Sequence, residues 1–391
     1  MKVLMVAHAF PRWEGDFAGA FVWRLAQALA ERGHQVTAVA PADRGETGAP
    51  TLGDVRVRRV RYADPERETL AYHGAMHQAT GRSLGAALAF GGLLRAFLAG
   101  VEEECVRGAA DVVHAHWWVP GGVAAALARR GACPLVVTLH GTDVAIVRKV
   151  PGARVAFGAV VRYAAATTAV SRALAEAAAS AADRPLQSIP VTPMPLVLQP
   201  APSRAADRRH GVVFVGRLTT QKRVGVLLDA LAILAGRGQR LDLTVVGDGP
   251  ERWVLETRAM RPDLHGLVRF AGQVPPGRVP DFLTTARLLV LPSVDEGLGL
   301  VVAEALVAGV PVVGARSGGI PDLLSDPEAG ALVPPDDPVS LADAMAKVAG
   351  DPRYLAGARR AGHVLAEWLS PAAVAARFED IYGGVLAGAG R

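Results

Sequence analysis

The chain alternates short apolar runs with longer amphipathic segments from end to end. In the first half, residues 3–7, 35–40, 55–60, 111–115, 134–139 and 166–170 read as strands. Helical spacing falls between them at 21–32, 84–107, 121–130, 155–163 and 172–181. Nearly continuous apolar strands alternating with helices predict a parallel sheet covered on both faces. The rhythm breaks over 185–210, where six prolines from Pro185 to Pro202 precede a polar stretch at 204–210. It then restarts, with strands expected at 212–215, 241–246, 267–270, 288–291, 310–313 and 331–333. Helices are expected at 224–235, 250–260, 279–285, 301–308, 341–348 and 353–368, and a last one at 371–386. The pattern predicts α/β domains at 1–190 and 211–368, a linker at 191–210 and a closing segment at 369–391. Two such units on a proline-rich hinge are expected to face each other across a cleft. Ligands would lie beyond the carboxyl ends of the strands.

Composition narrows the classes. With 391 residues, 51% hydrophobic and 20% charged, the chain can bury a large core and is not a disordered protein. The 42 basic and 37 acidic residues leave +5. Residues 1–190 hold 21 basic and 16 acidic residues and residues 191–391 hold 21 of each, so the excess lies in the first half. It includes Arg56, Arg58, Arg59 and Arg61. An ordinary solvated surface and a face that meets an anionic acceptor or membrane both fit this run. The basic density is too low for a nucleic-acid binder. No uninterrupted apolar run reaches the ~18 residues of a membrane span. The apolar start before His8 is too short for a secretory signal and reads as a first buried strand. Two cysteines, Cys105 and Cys133, suit a reducing cytoplasm.

Several signatures are missing. No G-x-G-x-x-G follows the first strand, no P-loop or H-E-x-x-H occurs, and no Asp-x-Asp offers the carboxylate pair of a metal-held sugar nucleotide. The candidate chemistry sits instead on loops after strands. Val215-Gly216-Arg217-Leu218 leads to Lys222, placing two cations at a strand end where a diphosphate would be neutralised. Glu296-Gly297-Leu298-Gly299-Leu300-Val301 leads to Glu304 inside an apolar helix. There the glycines permit close backbone approach and the carboxylates suit sugar hydroxyls. In the first half, His114-Ala115-His116 is expected to end a strand, with His116 emerging toward the cleft and both histidines on one face. His140 and Asp143 follow the next strand, and Gly19 precedes the first helix with an N–H suited to phosphate.

Together these segments resemble a retaining glycosyltransferase of the GT-B fold, glycosyltransferase family 4, over nearly the whole chain. The resemblance also rests on Arg32-Gly33-His34-Gln35-Val36, His140-Gly141-Thr142-Asp143, Gly247-Asp248-Gly249-Pro250, residues 309–313 and residues 317–322. It implies two Rossmann-like domains and a final helix that crosses back to the first. It implies that Arg217 and Lys222 hold a donor diphosphate, Glu304 the ribose, and Glu296 the donor sugar. Gly216 and the backbone of 297–301 would contact sugar and phosphate, Gly19 the diphosphate, and His116 the sugar near its anomeric carbon. Gly247 and the segment ending at Val274 would flank the base. The first domain, with His140 and Asp143, would meet a hydroxyl acceptor of unknown identity. The resemblance further implies a hexosyltransferase with a nucleotide-sugar co-substrate, no cofactor and no metal. Leu298 stands where the family carries an aromatic residue, and Asp322 where a glutamate is common. An epimerase or phosphorylase of the same fold is the nearest alternative. A two-domain solute-binding protein is the alternative from another class.

Overall fold

The computed structural model describes residues 1–46, 48–72, 76, 83–108, 110–128, 133–196 and 209–389. It divides into two compact units, one of Met1–Leu196 with Pro371–Arg391 and one of Val197–Ser370. Most of the proline-rich segment expected to be a linker, 197–208, lies outside the described residues, as do 129 and 130 of the helix expected at 121–130.

The first unit contains β1 (Lys2–Val6), α1 (Ala20–Glu31), β2 (Gln35–Pro41), β3 (Thr51–Leu52), β4 (Val55–Val60) and α2 (Leu84–Gly108). It continues with β5 (Val112–His116), α3 (Val123–Leu127), β6 (Leu135–Leu139), α4 (Thr142–Lys149), α5 (Ala153–Tyr163), β7 (Ala166–Ala169) and α6 (Arg172–Ala182). The strand order is β3-β4-β2-β1-β5-β6-β7, parallel except where β3 meets β4. Strands β5 and β6 are buried at every position, so they are apolar except at His114, His116 and Thr138. Helix α1 buries Val22, Leu25, Ala26 and Leu29, a single stripe at helical spacing.

The second unit contains β8 (His210–Val215), α7 (Val224–Gly236), β9 (Leu243–Val246), α8 (Arg252–Ala259), β10 (Val268–Gly272), α9 (Val279–Thr285) and β11 (Ala286–Leu291). It continues with α10 (Leu300–Val307), β12 (Val312–Ala315), α11 (Ile320–Leu323), β13 (Gly330–Val333), α12 (Pro338–Gly350) and α13 (Arg353–Trp368). Its six strands are all parallel, in the order β10-β9-β8-β11-β12-β13. The last helix, α14 (Pro371–Ala389), packs on α1 in the first unit. There Glu379 pairs with Arg32 at 2.6 Å and His34 at 2.7 Å.

Each sheet reverses its strand order once, between β1 and β5 in the first unit and between β8 and β11 in the second. The loops leaving those four strands therefore diverge and leave a crevice at each sheet's carboxyl edge.

Two expectations are corrected. Strand β5 runs through His116 rather than ending before it. Helix α2 contains a stretch, Leu84–Val106, long and apolar enough to cross a membrane, because Arg95 is the only charged residue before Glu102. Leu93, Phe97 and Val101 of that helix are buried in the core of the first unit.

The arginine run is also resolved. Arg56 and Arg58 both pair with Glu104 of α2, and Arg58 also pairs with Glu103. Arg59 donates to the carbonyls of Phe10 and Pro11 and to the Tyr72 hydroxyl. Arg61 pairs with the buried Glu68 at 2.7 Å. The run is a set of clamps on β4 and just beyond it, every arginine being partnered and Arg56 and Arg58 sharing Glu104.

Candidate active site

In the second unit the glycines explain how two loops come together. Gly247 has φ +133°, and a Cβ there would overlap the carbonyl oxygen of Gly216. Its N–H donates to the Gly272 carbonyl at 2.8 Å. The loops after β8, β9 and β10 are thereby stacked edge to edge, with Val274 half-buried just beyond.

The loop after β8 then makes a single turn of 3₁₀ helix at Thr220–Lys222. The Lys222 ammonium donates to Glu296 Oε2 at 2.6 Å, and both side chains are mostly buried. Gln221 secures the same junction through its carbonyl, which accepts from the Val294 N–H at 2.9 Å, and its Nε2, which donates to the Asp295 carbonyl at 2.8 Å. From the other side, Ser317 Oγ accepts from the Asp295 N–H at 3.0 Å, and the Gly319 N–H donates to the Glu296 carbonyl at 2.9 Å. Gly318 has φ +57°, and a Cβ there would overlap that same carbonyl oxygen. Two strand-end loops, those after β8 and β12, thus fix the backbone that carries Glu296.

Helix α10 starts at Leu300, after Gly299 in the left-handed region at φ +81°. Leu298, Val302, Ala303, Ala305 and Leu306 are buried. Leu300, Val301 and Glu304 are half-exposed on one stripe of the helix, as their spacing of three and four requires. Gly297 precedes this stripe and is also half-exposed. Arg217 is exposed, and no hydrogen bond or ion pair ties down its side chain among the described residues. The neighbouring Arg223 is engaged, pairing with Asp336 at 2.7 Å. This surface combines a free guanidinium, a Lys–Glu pair, a half-exposed Glu304 and a helix start. It can neutralise phosphate oxygens and accept from hydroxyls.

In the first unit, Gly19 sits at φ +68° before α1, and a Cβ there would overlap the Ala9 carbonyl oxygen. His114 and His116 share one face of β5, with ring centroids 4.2 Å apart. Their roles differ. His114 Nδ1 meets the Tyr382 hydroxyl and its Nε2 meets Thr138 Oγ1, each at 2.7 Å, so both nitrogens are satisfied inside the core. His116 Nδ1 meets His140 Nε2 at 3.1 Å, while its Nε2 is buried with no protein partner among the described residues. The expectation that His116 emerges from the sheet is corrected, because it is fully buried.

Burial holds His8 at about 4 and His114 at about 3, and holds His116 and His140 well below the ordinary imidazole range. His8 and Trp117 were not singled out from sequence. Their rings lie 4.2 Å apart, and Trp117 stacks 4.5 Å from His140.

The expectation that Asp143 meets an acceptor is also corrected. Its buried carboxylate accepts from the N–H groups of Gly141 at 2.9 Å, His140 at 3.1 Å and Trp118 at 3.3 Å. Asp143 therefore shapes the loop that presents His140. Burial raises its pKa, and those N–H groups partly offset the rise. No cluster of three metal-binding side chains occurs among the described residues.

Residues 18–195 match the family model described as a glycosyl transferase 4-like domain, and residues 209–351 match that of glycosyl transferases group 1. The chain is 30% identical over 309 residues to the 2-deoxystreptamine glucosyltransferase of Streptomyces kanamyceticus, covering 71% of this chain and 79% of that one. It is 32% identical over 292 residues to the D-inositol 3-phosphate glycosyltransferase of Acidothermus cellulolyticus, covering 65% of this chain and 64% of that one. Its fold matches that of Anabaena Alr3699/HepE, solved in complex with UDP, with a TM-score of 0.72 at 19% identity over 98% of this chain and all of that one. With two Rossmann-like domains and these relatives, the chain belongs to the glycosyltransferases of the GT-B fold.

Proposed function

We propose that the protein is a retaining, metal-independent hexosyltransferase that moves a sugar from a nucleoside diphosphate to a ring hydroxyl of a polyhydroxylated acceptor. The observation that carries this reading is the Lys222–Glu296 pair at 2.6 Å, fixed at the β8/β11 reversal by Gln221, Ser317 and Gly318. A cation and a carboxylate side by side suit a ligand that presents phosphate next to sugar hydroxyls. Arg217 and Lys222 would stabilise charge on the departing diphosphate, and Glu296 would hold the sugar. Glu304 would take the ribose from the half-exposed stripe of α10. The protein cations would serve where other enzymes use a divalent ion. For retention, the acceptor hydroxyl attacks from the side the diphosphate leaves, and a phosphate oxygen takes its proton.

The two relatives above are named for 2-deoxystreptamine and inositol phosphate, both six-membered carbocyclic polyols. A cyclitol or a sugar of an envelope glycan or glycolipid is therefore the acceptor class we favour. We place the reaction in the cytoplasm, which two free cysteines suit. Peripheral binding to an anionic membrane would draw on basic residues other than Arg56, Arg58, Arg59 and Arg61. Vesicle co-sedimentation at low salt tests that contact. The central experiment is a screen of UDP-, GDP- and ADP-sugars with cyclitol acceptors in EDTA, followed by NMR of the product's anomeric configuration. Transfer that requires added metal, or an inverted product, would overturn this reading.

A further inference from the structure

The loop leaving β1 is held by more bonds than its exposure calls for. Arg59 on β4 donates to the carbonyls of Phe10 and Pro11. The buried Asp16 carboxylate accepts from the Arg12 N–H at 3.0 Å, from Arg12 Nε at 2.7 Å and from the Ala18 N–H at 3.2 Å. Arg12 also pairs with Asp43, just beyond β2. The Asp16 N–H donates to the Trp13 carbonyl at 3.1 Å and closes the tip, with Gly15 in the left-handed region at φ +89°. The aromatic residues that this frame carries are nevertheless in water, Trp13 being 52% exposed and Phe17 59%. Ordering a loop tip costs conformational entropy, and here no burial of those rings offsets it. Rigidity without burial is what a preformed binding surface requires.

Trp13 is the better placed of the two. The Arg12 guanidinium lies over its ring, 4.3 Å from the centroid, and 4.8 Å from the centroid of Tyr72. The cation fixes the plane of the indole and covers one face, so the exposed part is the outer face. The loop leaves a strand that borders the β1/β5 reversal, at the carboxyl edge where ligands of such sheets lie. A cyclitol or pyranose chair presents C–H bonds between its hydroxyls, and a flat indole of fixed orientation matches that apolar face. We propose that Trp13 is an acceptor-binding residue, the platform on which the ring of a polyhydroxylated acceptor packs, and that Arg12 is its positioning residue. The purpose of the ring rests on the transferase reading above, whereas the packing itself needs only the first unit.

The test is saturation-transfer NMR of myo-inositol, scyllo-inositol and glucose with the full-length protein, alongside transfer kinetics. The wild type should saturate the ring C–H protons of at least one of these. Trp13→Ala should lower that signal and raise the acceptor KM about 3- to 10-fold, the scale of one lost aromatic contact. Trp13→Phe should restore most of both, and nucleoside diphosphate affinity should not change in either variant. Arg12→Lys keeps a charge for Asp16 but loses the planar fork over the indole, so it should weaken the same ring signal. If that variant folds poorly, the exposed Trp13 still decides. An unchanged ring signal and KM in Trp13→Ala would overturn the proposal, as would a wild type that saturates none of the three rings. Loss of anionic-vesicle binding in Trp13→Ala with the ring signal intact would reassign the tip to a membrane and overturn it equally. A wild type that binds a ring through Trp13 yet transfers no sugar would instead sink the transferase reading and leave the platform standing.

Discussion

Lys222 and Glu296 neutralise one another, so the two must respond differently to mutation. Glu296→Gln leaves the ammonium entirely to phosphate. Nucleoside diphosphate affinity, measured by calorimetry, should hold or improve. Turnover should fall by about 10- to 100-fold, as expected for losing a charged hydrogen bond worth ~1.5–3 kcal/mol. Lys222→Met should slow transfer about 10²–10³-fold, the ~3–4 kcal/mol typical of removing a donor to developing charge. Equal loss of nucleotide affinity in both variants would refute the division of roles. The buried imidazoles give a separate expectation. Burial depresses the folded pKa of His8 to about 4 and of His114 to about 3, whereas the unfolded chain binds those protons near ~6.5. Their contribution is complete above ~6.5. Each costs up to ~1.4 kcal/mol per pH unit between there and its folded value, and nothing further below it. Urea unfolding of the first unit should therefore show a falling midpoint from pH 7 to pH 4. A flat profile across that range would contradict the neutral, buried assignment.

At the scale of elements, the loop carrying Glu296 is held by contacts rather than by its own sequence. Gly318→Ala should force its new methyl against the Glu296 carbonyl and strain a backbone at φ +57°. We expect ~1–3 kcal/mol of destabilisation, with kcat falling further than stability alone explains. Gln221→Leu, of similar volume, removes the bond to the Asp295 carbonyl without a steric clash. It should lower kcat while leaving nucleotide affinity near wild type. An unchanged kcat would deny Gln221 a positioning role.

The contrast between these residues shows what the sequence could tell. The strands were legible because burial on both faces demands unbroken apolar runs. Arg217, Lys222, Glu296 and Glu304 stood out as candidates because cations and carboxylates are conspicuous at strand ends and in an apolar helix. Gln221, Ser317 and Gly318 were not, because their function is a backbone contact between loops distant in sequence. The His114–Tyr382 bond joins residues 268 apart, and no local pattern announces it. Asp143, Arg56, Arg58, Arg59 and Arg61 show the converse. A charged residue looks available until its partner is seen.

For the whole molecule, binding should show as stability. A nucleoside diphosphate at 100 times its Kd should add ~2.7 kcal/mol to the unit that holds it, with no divalent ion present. Differential scanning calorimetry with EDTA checks this, and a Tm shift that appears only with magnesium would contradict it. The two units also enter the world in an uneven order. The first is interrupted in sequence by the second, and resumes only at Pro371. A ribosome adding ~5–20 residues per second spends ~10–35 s between Leu196 and Pro371. Throughout that interval the nascent first sheet lacks Phe378 and Tyr382, the side chains that cover His114. The second unit is one uninterrupted stretch of chain and can complete itself first. Synthesis therefore runs counter to numbering, and the half of the enzyme that begins earliest is the half that finishes last.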